Sequence, residues 1–122
     1  MSVNSKLILY VDDHQDSVCF MSTWLTLQGH EVKTAGSCAE ALSCAADGRV
    51  DLLILDARLP DGSGFDLCKA LLAKSSSAPV IIVSGDTRPE VQKEAVAAGA
   101  KAFVGKPVDF DELDAVITRL CC

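Results

Sequence analysis

Five short apolar runs alternate with five longer segments of helical periodicity along the whole chain, and this alternation restricts the fold more than any other feature. Residues 6–11 read as a first strand. Residues 16–28 read as a helix, because on a wheel of about 100° per residue Val18, Phe20, Met21, Trp24, Leu25 and Leu27 share one half of it. Gly29 supplies the stop. Residues 30–35 alternate in polarity, as an exposed edge strand does. Ser37 and Glu40 form a capping box for a second helix that runs to about Asp47. Residues 51–55 are apolar and β-competent, and a third helix spans Gly64 to about Lys74 with Phe65, Leu67, Cys68, Leu71 and Leu72 as its apolar positions. Residues 80–83 are the most β-branched run in the chain. Thr87 and Glu90 form a second capping box, with Pro89 tolerable in the first turn, and the helix that follows ends at Gly99. Residues 102–104 are a brief strand. Asp109 and Glu112 then cap a last helix with Phe110, Leu113, Val116, Ile117 and Leu120 on one face.

Strict alternation predicts a doubly wound α/β fold, a parallel sheet with helices on both faces, because crossovers between parallel strands are right-handed. The first, third and fourth strands are wholly apolar and belong at the centre; the second and fifth belong at the edges. The order 2-1-3-4-5 meets this requirement, as do other orders with the same edges, and it places the switch point between strands one and three. A chain of 122 residues is expected to form one domain, residues 1–122. With 49% hydrophobic and 23% charged residues, intrinsic disorder is excluded. The longest apolar runs, of five or six residues, are far short of the roughly 20 that a membrane-spanning helix needs. Residues 1–6 lack the charged-then-apolar layout of a signal peptide. A net charge of −6 speaks against nucleic-acid binding by this domain alone.

Cys19, Cys38, Cys44, Cys68, Cys121 and Cys122 include no C-x-x-C pair and lie apart in sequence from the two histidines, His14 and His30. A zinc site is therefore not expected. Reduced thiols in the cytoplasm are, with Cys121 and Cys122 open to oxidation during handling.

Sites in open α/β sheets form beyond the carboxyl ends of the strands. Asp12 and Asp13 follow the first strand, Asp56 ends the third, Ser84 and Gly85 end the fourth, and Lys106-Pro107 follow the fifth. Two carboxylates about 5 Å apart repel by about 3 kcal/mol at an effective dielectric of 20, so this cluster must bind protons or a cation. Oxygen ligands with several waters suit Mg²⁺ or Mn²⁺ rather than zinc. Lys106 and the Ser84 hydroxyl are the donors a phosphoryl group requires, and Asp56 is a candidate nucleophile, since a carboxylate can accept phosphoryl as an acyl phosphate. His14, beside the acid pair, reads as a solvent-facing loop residue, with metal ligation as the alternative.

The chain resembles the receiver domain of two-component response regulators, of the CheY-like superfamily, from Lys6 to about Leu120. The resemblance is carried by Val11-Asp12-Asp13; by Leu55-Asp56 with Pro60 and Gly64 after it; by Val83-Ser84-Gly85; and by Phe103-x-x-Lys106-Pro107. It implies a flavodoxin-like (βα)5 fold and a phosphorelay role. Asp56 would take phosphoryl from a histidine kinase or histidine phosphotransfer protein. Asp13, Asp56 and the backbone carbonyl of Arg58 would hold Mg²⁺, with Asp12 assisting through water and Mn²⁺ as a substitute. Ser84 and Lys106 would grip the phosphoryl oxygens. Phe103 would turn inward with Ser84 on activation, and the Lys106–Pro107 peptide would be cis and aim the lysine. The output would be read on the face of the fourth helix, fifth strand and fifth helix, by an effector domain or partner. No turnover of an external substrate is implied, only catalysis of the domain's own modification.

Two alternatives use the same residues. A haloacid-dehalogenase-like phosphatase also combines Asp, Mg²⁺, Ser and Lys, but places its nucleophile on the first strand in a D-x-D arrangement. A non-phosphorylated pseudo-receiver would keep the fold as an interaction module, and the intact acid pair argues against it. Two local features stand out. Arg58 and Asp86, two residues past Asp56 and Ser84, are expected to pair across the site and set the acyl-phosphate lifetime. The outer face of the first helix, Cys19, Ser22, Thr23 and Thr26, carries no charge and is either a tolerated surface or a partner contact.

Overall fold

The computed structural model, which describes residues 5–46, 49–74 and 78–121, turns the alternating segments into β1 (Leu7–Val11), α1 (Gln15–Leu27), β2 (Glu31–Ala35), α2 (Cys38–Ala45), β3 (Leu52–Asp56), β4 (Arg58–Leu59), β5 (Gly62–Ser63), α3 (Gly64–Ala73), β6 (Val80–Ser84), α4 (Pro89–Ala97), β7 (Ala102–Gly105) and α5 (Phe110–Cys121). The main sheet has the order β2-β1-β3-β6-β7, all parallel, which is the expected order with the expected edges. Every residue of β1, β3 and β6 is buried, whereas β2 is largely open to solvent. That difference follows from sequence. A strand covered on both faces must be apolar at every position, and an edge strand need not be.

Side chains alternate across the sheet and feed two separate cores. Leu9, Val11, Leu53, Leu55 and Ile82 face α2, α3 and α4. Ile8, Tyr10, Ile54, Ile81 and Val83 face α1 and α5. Burying each Leu or Ile of these strands contributes about 1.5–3 kcal/mol, so the sheet is the rigid part on which the loops are mounted.

Three local readings change. In α1 only Met21 and Leu25 are fully buried, with Val18 and Trp24 packed at the margin; Phe20 and Leu27 are 71% and 77% exposed. On the helical wheel Phe20 and Leu27 lie about 100–120° from Met21, outside the stripe that a sheet can cover. At α4 the last extended residue is Arg88, not Thr87, and no side chain caps the helix. Pro89 at the start of the helix forces its predecessor into an extended conformation, which shifts the boundary by one residue. Residues 58–63 form a small antiparallel hairpin, β4–β5, that the alternation did not suggest. Its turn is Pro60-Asp61, residue types suited to turns. The Asp61 carboxylate accepts the backbone N–H groups of Cys38 (2.8 Å) and Ala39 (3.1 Å), clamping the hairpin to the start of α2.

The cap of the last helix forms as expected, and that of α2 does so on the serine side, with the glutamate reaching one residue further back than a capping box requires. Ser37 Oγ accepts Glu40 N–H, Glu40 Oε1 accepts Gly36 N–H, and Asp109 Oδ1 accepts Asp111 and Glu112 N–H. The expected end of α2 at Asp47 lies outside the described residues, where α2 is followed only to its cap at Ala46. Cys122 also lies outside them. Cys19, Cys38, Cys44 and Cys68 carry free thiols, and burial pushes that of Cys38 up to about 11.

Candidate functional site

Strand register decides which residues meet. Val11 pairs with Leu55, so Asp12, one step further, emerges beside Asp56 at the end of β3. Asp56 pairs with Val83 and Ser84 pairs with Gly105, so Ser84 and Lys106 emerge next along the same edge. The backbone N–H of Lys106 is pinned to the carbonyl of Ser84 at 2.9 Å, and the Lys106–Pro107 peptide is cis. At Gly64 a Cβ would collide with the carbonyl oxygen of Asp56, so the start of α3 closes directly under the end of β3 only because this residue has no side chain.

These placements bring the sequence-derived residues together. Lys106 Nζ lies 2.9 Å from Asp56 Oδ2 and 3.8 Å from Asp12 Oδ2. Asp56 Oδ1 accepts the backbone N–H of Arg58 at 3.2 Å. Asp12, Asp13, His14 and Asp56 each offer a ligand atom, and these atoms lie within 4.8 Å of one another. Asp12 and Asp56 are buried, while Asp13 and His14 face solvent. Ser84 is also buried, and its Oγ accepts the N–H of Asp86 at 3.0 Å. A cleft of about 690 Å³ opens over Asp56, Ser84 and Lys106, rimmed by Arg58, Thr87 and Arg88. Phe103 is half-buried against the core on the α2–α4 side, outside that lining.

Burial alone would raise the pKa of Asp12. The N–H of His14, the Tyr10 hydroxyl, the His14 ring and the Lys106 charge outweigh it and hold the carboxyl below its ordinary range. The Tyr10 contact is 2.7 Å, and burial together with Asp12 keeps that phenol protonated. Tyr10 was not singled out from sequence. Its signal is a hydroxyl-bearing aromatic in an otherwise aliphatic strand, two residues before a carboxylate and hence on the same face.

The expected Arg58–Asp86 pair does not form. Asp86 is instead held by Arg88, whose Nε and Nη2 reach its two carboxylate oxygens at 2.9 and 2.7 Å. That contact pushes the Asp86 carboxyl down to about 2. Arg88, extended ahead of Pro89, projects back over Asp86 within the same loop, and a partner two residues away is reached with less ordering than one across the cleft.

The donor set fits a hard divalent cation. Three carboxylates against one ammonium leave an excess of negative charge, and oxygen atoms at this spacing suit an ion with ligands at about 2.1 Å that retains waters.

The sequence matches the family profile of the response regulator receiver domain over residues 8–118. The chain belongs to the response regulator receiver family. It is 39% identical over 106 residues to the transcriptional regulatory protein KdpE of Mycobacterium tuberculosis, covering 87% of this chain and 46% of that one. It is 34% identical over 112 residues to the regulatory protein AtoC of Escherichia coli (strain K12), covering 92% of this chain and 24% of that one. The receiver thus spans between about a quarter and half of the length of these curated relatives. Among solved structures it is similar to the chemotaxis response regulator CheY4 of Vibrio cholerae, with a TM-score of 0.89, 31% identity and coverage of 95% of this chain and 98% of that one. The family membership favours the two-component reading over the phosphatase alternative. No helix among the described residues is long and apolar enough to cross a membrane.

Proposed function

We propose that this receiver takes up a phosphoryl group on Asp56 and relays the event as a change of packing. The observation that carries the proposal is the contact of Lys106 Nζ with Asp56 Oδ2 at 2.9 Å at the mouth of the acid cluster. The ammonium lies against the carboxylate that attacks and is already in place to receive a phosphoryl oxygen. Asp56 attacks the phosphorus of a phosphohistidine. The O–P bond forms as the N–P bond breaks, and the departing imidazole nitrogen takes up a proton. The Ser84 hydroxyl, whose Oγ accepts the Asp86 N–H, turns to donate its own proton to a phosphoryl oxygen, and Phe103 follows it inward. Asp13, Asp56 and the backbone carbonyl of Arg58, with Asp12 assisting through water, would hold Mg²⁺, which would supply positive charge for the phosphoryl oxygens.

The donor is a histidine kinase or histidine phosphotransfer protein. The exposed, uncharged Cys19, Thr23 and Thr26 of α1 support this reading, because the same helix borders a groove of about 320 Å³ lined by Asp16, Phe20, Met21, Val108 and Phe110 that also reaches Lys106 and Pro107. A donor helix seated there would bring its phosphohistidine to the cleft. We read residues 1–122 as one cytoplasmic receiver domain, without turnover of an external substrate, whose output surface is the α4–β7–α5 face.

The test is incubation with acetyl phosphate and Mg²⁺, read as a phosphoryl mass increment on the intact protein. The wild type is expected to gain one phosphoryl group and Asp56→Asn none. Uptake that persists in Asp56→Asn, or its absence in the wild type, overturns the proposal. The latter would favour the pseudo-receiver alternative.

A further inference from the structure

His14 occupies the N-cap of α1, a position where Ser, Thr, Asp or Asn would satisfy a free helix N–H, yet its side chain makes no capping bond. The ring turns the other way. Its Nδ1 lies 3.1 Å from Asp12 Oδ1 and 3.4 Å from Asp13 Oδ1, while its side chain remains 68% exposed. Adjacent ligands of an octahedral ion with bonds of about 2.1 Å are about 3.0 Å apart, so Nδ1 and the Asp13 carboxylate stand within a few tenths of an ångström of the edge of such a shell. The exposed ring needs little rearrangement to close that difference, and its outward Nε2 is free to carry the proton when Nδ1 offers its lone pair.

We propose that His14 is a nitrogen ligand of the acid-pocket cation and biases this receiver toward imidazole-accepting first-row divalent ions over Mg²⁺. The inference rests on the reading of Asp13 and Asp56 as metal ligands. Mg²⁺ favours oxygen and gives up water reluctantly, so it gains little from an imidazole; Co²⁺, Ni²⁺ and Zn²⁺ gain substantially.

The test titrates the full chain with Co²⁺ and, separately, Mg²⁺ by isothermal calorimetry at pH 8, with the Co²⁺ visible spectrum as a second readout. The expected result is a loss of at least tenfold in Co²⁺ affinity in His14→Gln, with Mg²⁺ affinity unchanged within twofold and a shift of the Co²⁺ bands. Asp13→Asn should weaken both ions. If Asp13→Asn weakens both while His14→Gln binds Co²⁺ like the wild type, the role of His14 is refuted and the acid pocket stands. If Asp13→Asn changes neither affinity, the acid-pocket reading fails and the proposal with it.

Discussion

Replacing Tyr10 by phenylalanine removes one oxygen atom and leaves the packing of the ring intact. That oxygen donates to Asp12 Oδ2 at 2.7 Å, and the two residues are only 2% and 1% exposed. A hydrogen bond to a buried carboxylate is worth about 1.5–3 kcal/mol. In Tyr10→Phe the same oxygen retains Lys106 Nζ at 3.8 Å, which supports a middle value of about 2 kcal/mol. With an unfolding entropy of about 2.1 cal/mol/K per residue, a chain of 122 residues should lose about 8 °C in Tm. Urea denaturation of Tyr10→Phe, Asp12→Ala and the double variant at pH 7 should give a coupling energy of about 1.5–2 kcal/mol. The pH dependence has a definite sign. Asp12 is held below its ordinary range, so its contribution is present above the unfolded value of about 3.9 and is lost as pH falls through the lower folded value. The Tyr10→Phe deficit should therefore be full at neutral pH and shrink below about pH 4. A coupling energy under about 0.5 kcal/mol, or a deficit of equal size at all pH values, would show that the hydroxyl does not sustain the ionised carboxylate.

Gly64→Ala should destabilise the protein by about 1–3 kcal/mol in a thermal melt and slow acetyl phosphate uptake, because the new methyl group displaces the Asp56 backbone. His30 Nδ1 accepts the Lys6 N–H at 3.2 Å, and burial lowers its pKa against the opposing pull of Asp114. Its contribution, about 1 kcal/mol, is present above about pH 6.5 and is lost as pH falls through the lower folded value, so His30→Gln should flatten the urea midpoint between pH 7 and 5. Thr23→Glu with Thr26→Glu should slow transfer from a phosphohistidine donor and leave acetyl phosphate uptake unchanged; equal transfer would mark that helix face as a tolerated surface. Asp86→Ala should leave the thermal midpoint nearly unchanged, since its Arg88 partner is exposed, and should alter the autodephosphorylation rate by freeing Arg88 at the rim of the cleft.

The same periodicity that made the fold legible also explains what escaped reading. A fully apolar run must lie at the centre of a covered sheet, so β1, β3 and β6, and with them the edges, follow from composition. Each chemical residue stands one step past, or at the end of, such a run, so Asp12, Asp56, Ser84 and Lys106 are carried to one rim by register alone. Side-chain partnerships are another matter. Asp86 has two arginines within reach of sequence reasoning, and which one it takes depends on the direction the chain leaves Ser84, set by the extended residue ahead of Pro89. Tyr10 and His14 illustrate the converse. Both sit where a bland reading is sound, a core strand and a solvent-facing cap, and only the three-dimensional positions of the Asp12 oxygens reveal that both address the same carboxylate. Asp12 is thus gripped from the sheet side by a phenol and from the solvent side by an imidazole. The buried grip fixes the carboxylate; the exposed one leaves a ring free to exchange a hydrogen bond for a metal bond.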